Sequence, residues 1–577
     1  MARPVDAAAW GVQQEFVDAF GRRRRAPAAT VDAVLDAMGA TTGAPPPSAG
    51  DKPVRGAARC PRPPARGWGW AAQLYAARSL RSWGIGDLMD LDRLARWAAA
   101  SGARFVLINP LHAAAPVLPQ DPSPYNPSTR RFRSVLYLAV ERVPGATDVD
   151  IRETASLARA LNADRLIDRD EVLRLKLDAL GRVWDGFRGD RRFDAYVEEQ
   201  GSALDKWATF CVLAETYGDD WRTWPAPYQR PGTPEAVRVW MGHHDRIRFH
   251  QWLQWLLDVQ LREASSHVDV MHDLAVGFAP GGFDAWSWHD LLAPGVSIGA
   301  PPDEFNTQGQ VWGLPPFDPW KLRAAGYRPF VETIRASLRH AGALRIDHAL
   351  GLARLYWVPD GVDPTDGVYV RYPFGELLDV IATESEAADA YVVAEDLGTS
   401  SPEIIDGLAA RGLLSYRLLW FEQRAPEEYP ELAMAAVTTH DLPTVAGLWS
   451  GRDLEVQEAL GLRPNADGWR AVRARLGALA DTGSGLDLGL DELDGPDPDA
   501  DVADVIVGVH RALAGAPSLL VSGTLDDAIA VVERPNMPGT TTEWPNWRLA
   551  LPLPLEEIES HPLAHRVAAA LQRDRAG

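Results

Sequence analysis

Cysteine is scarce: Cys60 and Cys211 are the only two in 577 residues. One disulfide would staple little in a chain of this length, so reduced thiols in a cytoplasmic setting are expected. No stretch approaches the roughly 18 uninterrupted apolar residues needed to cross a bilayer. The first twenty residues lack the charged start and apolar run of a signal peptide. Positive charge is in deficit too. Lys and Arg number 58 against 79 Asp and Glu, a formal charge of −21. That argues against a nucleic acid or an anionic membrane as partner, and it accords with a neutral substrate. The basic run Arg22–Arg25 reads as a solvated turn.

Several catalytic signatures are missing as well. There is no P-loop, no G-x-S-x-G and no H-E-x-x-H, and no G-x-G-x-x-G stands at the first βα turn. Zinc has weak support, and no cofactor is expected. Acid count alone still leaves Mg²⁺ or Mn²⁺ open, with His272, His348 and His440 as conceivable additional ligands.

Tryptophan, by contrast, is abundant at 22. Trp83, Trp221, Trp224, Trp286, Trp288, Trp312, Trp544 and Trp547 lie in polar or loop-like contexts. Such rings suit stacking on the apolar faces of sugars, although ordinary aromatic packing is the simpler reading for any single one.

Residues 1–40 are expected to form a short helical hairpin. Trp10–Phe20 is one amphipathic arm, and Val31–Met38, capped by Thr30 and stopped by Gly39, is the other. Residues 41–67 read as a Pro-, Gly- and Ala-rich linker. From Trp68 onward short apolar strands alternate with helices: 69–74, 105–108, 268–274, 343–346, 391–394, 415–421, 435–438 and 517–522. Eight βα repeats point to an α/β fold, a (β/α)₈ TIM barrel at 68–577 with helical and loop insertions; a doubly wound open sheet is the alternative. Residues from about 130 to 265 read as a mainly helical insertion. Residues 277–327, rich in Gly, Pro and Trp, read as a long functional loop.

Active sites of such barrels lie at the C-terminal strand ends. Three acidic tips stand there: Asp347 after A-L-R-I, Glu395 after Y-V-V-A, and Asp441 after T-T-H. They are 48 and 46 residues apart, which lets all three face one pocket. Arg345, two residues from Asp347, shares its side of the strand and is expected to hold it ionised. Glu395 has the acidic neighbour Asp396 and no adjacent cation, so it is the better candidate for a protonated acid. One ionised and one protonated carboxyl group form the apparatus of a retaining glycosidase or transglycosidase. Read alone, Arg345 and Asp347 fit a structural ion pair slightly better than a catalytic one.

The ordered stretches QLYAARSLRSWGIGDL, FVLINPLHA, SPYNPSTRRF, DLAVG, GAPPDEFNTQGQVWGLPPFDP, LRIDHALGL, VVAEDLGT, TTHDLPT and NMPGTTTEWPNWR carry a resemblance. The sequence resembles the amylomaltases, the 4-α-glucanotransferases of glycoside hydrolase family 77 in the α-amylase clan, from about Trp68 to the end. The resemblance implies a barrel without a separate C-terminal β-domain. It also implies disproportionation of α-1,4-glucans and maltooligosaccharides, with no metal in the catalytic step. It assigns Asp347 as nucleophile, Glu395 as general acid/base and Asp441 as the acid that stabilises the transition state. Arg345, His440, Asp273 and Tyr125 match positions around the sugar at the cleavage point, and Trp312 matches the acceptor side. His348 and Asn536 lie in matching motifs. T-H-D-L-P-T departs from the T-H-D-N-D-T of other branches and leaves the acid in place. An α-glucan hydrolase on the same barrel and a non-catalytic glucan-binding protein are the rival expectations.

Overall fold

A computed structural model describes residues 5–18, 21–40, 58–303, 308–398, 401–462, 464–482 and 501–572. Most of the expected linker, at 41–57, lies outside the described residues.

The core is a ring of eight parallel strands: β1 Gly67–Ala72, β2 Phe105–Ile108, β3 Asp269–Leu274, β4 Ala343–Ile346, β5 Tyr391–Ala394, β6 Ser415–Leu418, β7 Ala433–Ala436 and β8 Leu520–Thr524. Hydrogen bonding runs in the order β5-β4-β3-β2-β1-β8-β7-β6. A single parallel bridge, Val393 to Leu414, joins the two ends. It comprises two backbone bonds, from Ala394 N to Leu414 O at 2.7 Å and from Leu414 N to Val392 O at 2.9 Å. Strands β2, β4, β5 and β7 are buried at every position. Sequences such as FVLI and YVVA fit that environment, because a parallel sheet covered on both faces has no solvent side to serve. The eight strands are those read from the sequence, with β1 and β7 ending two residues earlier than expected, β6 three earlier and β8 two later.

Helices wrap the ring. Leu88–Ala100 opens on a capping box in which Asp87 accepts from the amides of Met89 and Asp90, while the Asp90 side chain accepts from the Asp87 amide. Between β2 and β3 stand helices Arg152–Ala160, Arg169–Gly186, Arg191–Tyr217, Pro234–Gly242 and His244–Ala264. Lys176 is fully buried beneath this group, donating to the carbonyls of Leu136 and Leu138 at 2.6 and 2.8 Å with Asp87 3.7 Å away. Cys60 and Cys211 are free thiols, both buried. No helix among the described residues is long and apolar enough to cross a membrane.

Two expectations are corrected. Residues 277–327 are not one irregular loop. They hold helix Phe283–Trp288 and the strands Val296–Ala300 and Gln310–Leu314. These two strands belong to an antiparallel sheet of five, ordered Val12–Gln13, Val368–Arg371, Arg354–Pro359, Val296–Ala300, Gln310–Leu314. The N-terminal segment is not a helical hairpin either. Val12–Gln13 is the edge strand of that sheet, Glu15–Val17 pairs with Arg23–Arg25, and among the described residues of the segment only Ala28–Ala37 is an α-helix. Packing decided against the amphipathic helix: Trp10, Val12, Val31 and Val34 bury themselves on Trp357, Val368 and Val370 of the sheet. Thr30 does not cap its helix. It lies inside it and donates to the carbonyl of Asp366 at 2.9 Å. The basic run is an exposed strand rather than a turn, with Arg24 paired to Asp18.

Candidate active site

The site grows out of β4 and its neighbours. In register, Arg345 of β4 lies opposite Asp273 of β3, and Ile346 lies opposite Ala394 of β5. One residue beyond these tips, the Asp347 amide donates to Leu274 O at 3.1 Å and the Glu395 amide donates to Ile346 O at 3.0 Å. The ladder therefore continues just far enough to fix both acids side by side.

Arg345 is buried and divides its guanidinium. Nη1 reaches both carboxylate oxygens of Asp273 at 2.7 Å, and Nη2 reaches Asp347 Oδ1 at 3.0 Å. Its flat face lies over the ring of Tyr416. The expectation that Arg345 would hold Asp347 low is corrected. Burial pushes Asp347 up to about 6, and the attraction of Arg345 is offset further by the carboxylates of Asp273 and Glu395. The cation is shared, and its stronger grip is on Asp273. Burial also raises Glu395, against the pull of Arg345 and of two amides. Those amides are His348 N at 2.8 Å on Oε2 and Leu397 N at 2.9 Å on Oε1. The His348 amide can reach Glu395 because His348 adopts a left-handed conformation, φ 47° and ψ 51°.

Asp441 does not stand at a strand tip. It lies five residues past the end of β7, in a turn tied by Trp420 Nε1 to Thr438 Oγ1 and by Thr438 Oγ1 to Pro443 O. His440 Nε2 is 3.3 Å from Asp441 Oδ2, and Asn536 Nδ2 donates to Asp441 Oδ1 at 2.7 Å. The closed surroundings disfavour charge on both members of the His440–Asp441 pair, yet each partner stabilises the other. Asp441 is held down at about 2 and the imidazole of His440 is raised.

Tyr125 links the two halves. Its hydroxyl donates to Asp273 Oδ2 at 2.7 Å and lies 3.2 Å from His440 Nδ1, with the two rings stacked 4.7 Å apart. Trp312, on the strand Gln310–Leu314, meets the His348 ring edge-on at 5.4 Å and is half-buried. Asp347, Glu395, Asp441, Tyr125, Asp273, Trp312, Arg345, His348, His440 and Asn536 are thus linked in one chain of contacts. Among the described residues no group of three His, Cys, Asp or Glu converges in a way that would hold a metal ion.

Beside them lies a hollow of about 50 Å³, lined among others by Gln73, Asn109, Asp273, Arg345, His440 and Asp526. Burial and the neighbouring Asp527 push Asp526 up to about 7. Gln73 Oε1 has no hydrogen-bond partner among the described residues. Asp526, just beyond β8, is a strand-tip acid that strand-by-strand reading could have found. Trp547 was visible only as one tryptophan of a motif. Its ring packs on Tyr125 at 5.1 Å and on His440 at 5.2 Å, from a left-handed backbone with φ 61°. Trp83, Trp224 and Trp286 belong to the core instead.

A fold and a cluster of this kind have known counterparts. The family model described as 4-alpha-glucanotransferase, glycoside hydrolase family 77, matches residues 72–554. A 4-alpha-glucanotransferase of Mycobacterium tuberculosis is 43% identical over 557 residues, 88% of this chain and 75% of the relative. The Haemophilus influenzae enzyme of the same name is 34% identical, covering 86% and 76%. Among solved structures, the amylomaltase of Corynebacterium glutamicum superposes with a TM-score of 0.84 at 31% identity, over 98% of this chain and 99% of that one. The Streptococcus agalactiae amylomaltase, solved with acarbose, gives a TM-score of 0.70 at 16% identity over 88% and 99%, a likeness of fold. With a family model spanning most of the chain and a relative 43% identical over 88% of it, the chain belongs to the 4-alpha-glucanotransferases of glycoside hydrolase family 77.

Proposed function

We propose that this 4-alpha-glucanotransferase works by double displacement, with Asp347 as nucleophile, Glu395 as general acid/base and Asp441 as the stabiliser of the charged sugar ring. The observation that carries this reading is the unequal treatment of adjacent strand-tip acids. Asp347 bonds to a guanidinium, whereas Glu395 is held only by amides. In the first step an Asp347 oxygen bonds to the anomeric carbon while Glu395 gives its proton to the departing glycosidic oxygen. In the second, Glu395 takes the proton of an acceptor 4-hydroxyl, whose oxygen displaces Asp347. Two inversions return the original anomer.

His440 and Asp441, charged as a pair, face the sugar hydroxyls where positive charge builds on the ring. Tyr125, clustered with Trp547 and His440, offers a flat wall to the ring. Trp312 and His348 stand on the Glu395 side, where the leaving fragment departs and the acceptor enters. Maltooligosaccharides and α-1,4-glucans are the substrates on this reading, in the cytoplasm. A sugar seated against Trp312 excludes water and favours transfer over hydrolysis.

Incubation with maltotriose tests this. Disproportionation yields glucose and longer maltodextrins with little net gain in reducing ends, and NMR during the first turnovers shows the α-anomer at the new linkage. Reducing ends rising in step with cleavage would instead make the protein a hydrolase, and a β-anomer would exclude the covalent step at Asp347.

A further inference from the structure

The third acid has a support that neither the strand ladder nor its own packing provides. The Asp441 carboxylate is held by Asn536 Nδ2 and faces His440 Nε2, and its aim depends on its backbone as well. That backbone is gripped from the segment 534–547. Arg534 Nη1 donates to the carbonyl of Asp441 at 3.0 Å, and the Asn536 amide donates to the carbonyl of His440 at 3.1 Å. Arg534 is itself fixed. Its Nη2 donates to Asp453 Oδ2 at 3.0 Å, its Nε lies 3.0 Å from Oδ1, and both side chains are only 5% exposed. Gln457, one turn along helix Arg452–Ala459, donates to the same Asp453 oxygen at 2.7 Å. Trp544 Nε1 closes the segment onto Arg534 O at 3.3 Å.

A buried ion pair is a poor device for mere adhesion, since matched apolar side chains fill such a place at lower desolvation cost. What an apolar pair lacks is a directed, charge-assisted donor. We propose that Arg534, clamped by Asp453, is a positioning residue that holds the Asp441 backbone in its working orientation through the Asp441 carbonyl. The proposal rests on the reading of Asp441 given above and adds to it a residue that never touches the sugar.

The test is a double-mutant cycle on maltotriose disproportionation. Arg534→Met/Asp453→Leu removes both charges and keeps the volume. It is expected to retain or raise Tm, lower kcat about 30- to 100-fold and leave KM within about twofold. Arg534→Lys, which keeps a donor beside Asp453, should recover part of that loss. In an Asp441→Asn background the same Arg534→Met/Asp453→Leu change should cost less than about threefold, because its effect passes through the missing carboxylate. A wild-type kcat in Arg534→Met/Asp453→Leu, or a fully additive loss in the Asp441→Asn background, overturns the proposal. If Arg534→Met/Asp453→Leu does not fold, Arg534→Lys with and without Asp441→Asn carries the same comparison. Amide exchange at Asn536 gives a reading independent of turnover. It should quicken at least about tenfold in the charge-free variant, and unchanged exchange overturns the clamp. An inactive wild type would sink the catalytic reading instead, leaving the exchange measurement to decide the clamp.

Discussion

The amide of His348 donates to Oε2 of Glu395 at 2.8 Å, and it does so from a backbone conformation that histidine seldom adopts. A left-handed turn immediately after Asp347 thus orients the side chain at the next strand tip. The strain cost falls on His348. Replacing it with glycine, which accepts φ 47° freely, should leave stability equal or raised. Valine, branched at Cβ, should destabilise the protein by about 1–3 kcal/mol relative to glycine. Chemical denaturation of the two variants measures the difference. Equal stabilities would mean that the turn relaxes at no cost.

Loss of any of the three acids should remove turnover and keep the fold. Asp347→Asn is expected to lower kcat on the order of 10⁴-fold or more. Glu395→Gln should cost about 10²–10⁴-fold, and Asp441→Asn about 10²–10³-fold. Circular dichroism should stay native in all three, and full activity in any one would remove its assigned role.

The position of Asp347 at about 6 has a definite sign. A carboxyl that binds its proton more tightly folded than unfolded subtracts stability as pH rises from about 4 to about 6. With its side chain 20% exposed, the full effect is roughly 2 kcal/mol. Asp347→Asn should therefore match the wild type near pH 4 and exceed it in stability above pH 6, as denaturation at several pH values would show. The nucleophile must be ionised, so kcat/KM should rise with pH along a limb centred near 6. A limb near 4 would show that Arg345 dominates after all.

Trp312 belongs to the acceptor on this reading. Trp312→Ala should raise KM for a glucose or maltose acceptor about tenfold and increase the hydrolysed fraction of donor, while single-turnover cleavage of the donor changes little. Product analysis by chromatography separates the two fates. An unchanged ratio of transfer to hydrolysis would free Trp312 of that role.

Legibility followed the range of the forces. The barrel strands were readable because they are short and mostly buried, four of them, such as FVLI, at every position. Asp347 and Glu395 were placed correctly because each directly follows such a strand, whereas Asp441 lies five residues beyond its strand. The five-stranded sheet was not, because its strands come from residues 12–13, 296–314 and 354–371, and no local period announces partners so far apart. Trp10 to Phe20 fits a helix by spacing, and only the distant Trp357 and Val370 decide otherwise. The charge state of Asp347 was misjudged for a related reason: sequence shows the arginine next door and conceals the second carboxylate, Asp273, that claims it. The long motif around Arg78–Asp87 was legible as a match and opaque in purpose. It serves as scaffold. Arg78 donates to the Asp164 carbonyl at 2.8 Å, and a Cβ on Gly86 would lie 1.9 Å from Leu74 O.

The single bridge between β5 and β6 gives the barrel the mechanics of a split ring. A split ring flexes at its gap and stays stiff elsewhere. Glu395 stands on one lip of that gap, while Asp347 lies one strand further in, where β4 is laced to both neighbours over four residues. Compliance is thereby lodged on the side that only passes a proton, a transfer that tolerates small changes in distance. Rigidity is kept for the side that must meet a carbon atom along one line of approach.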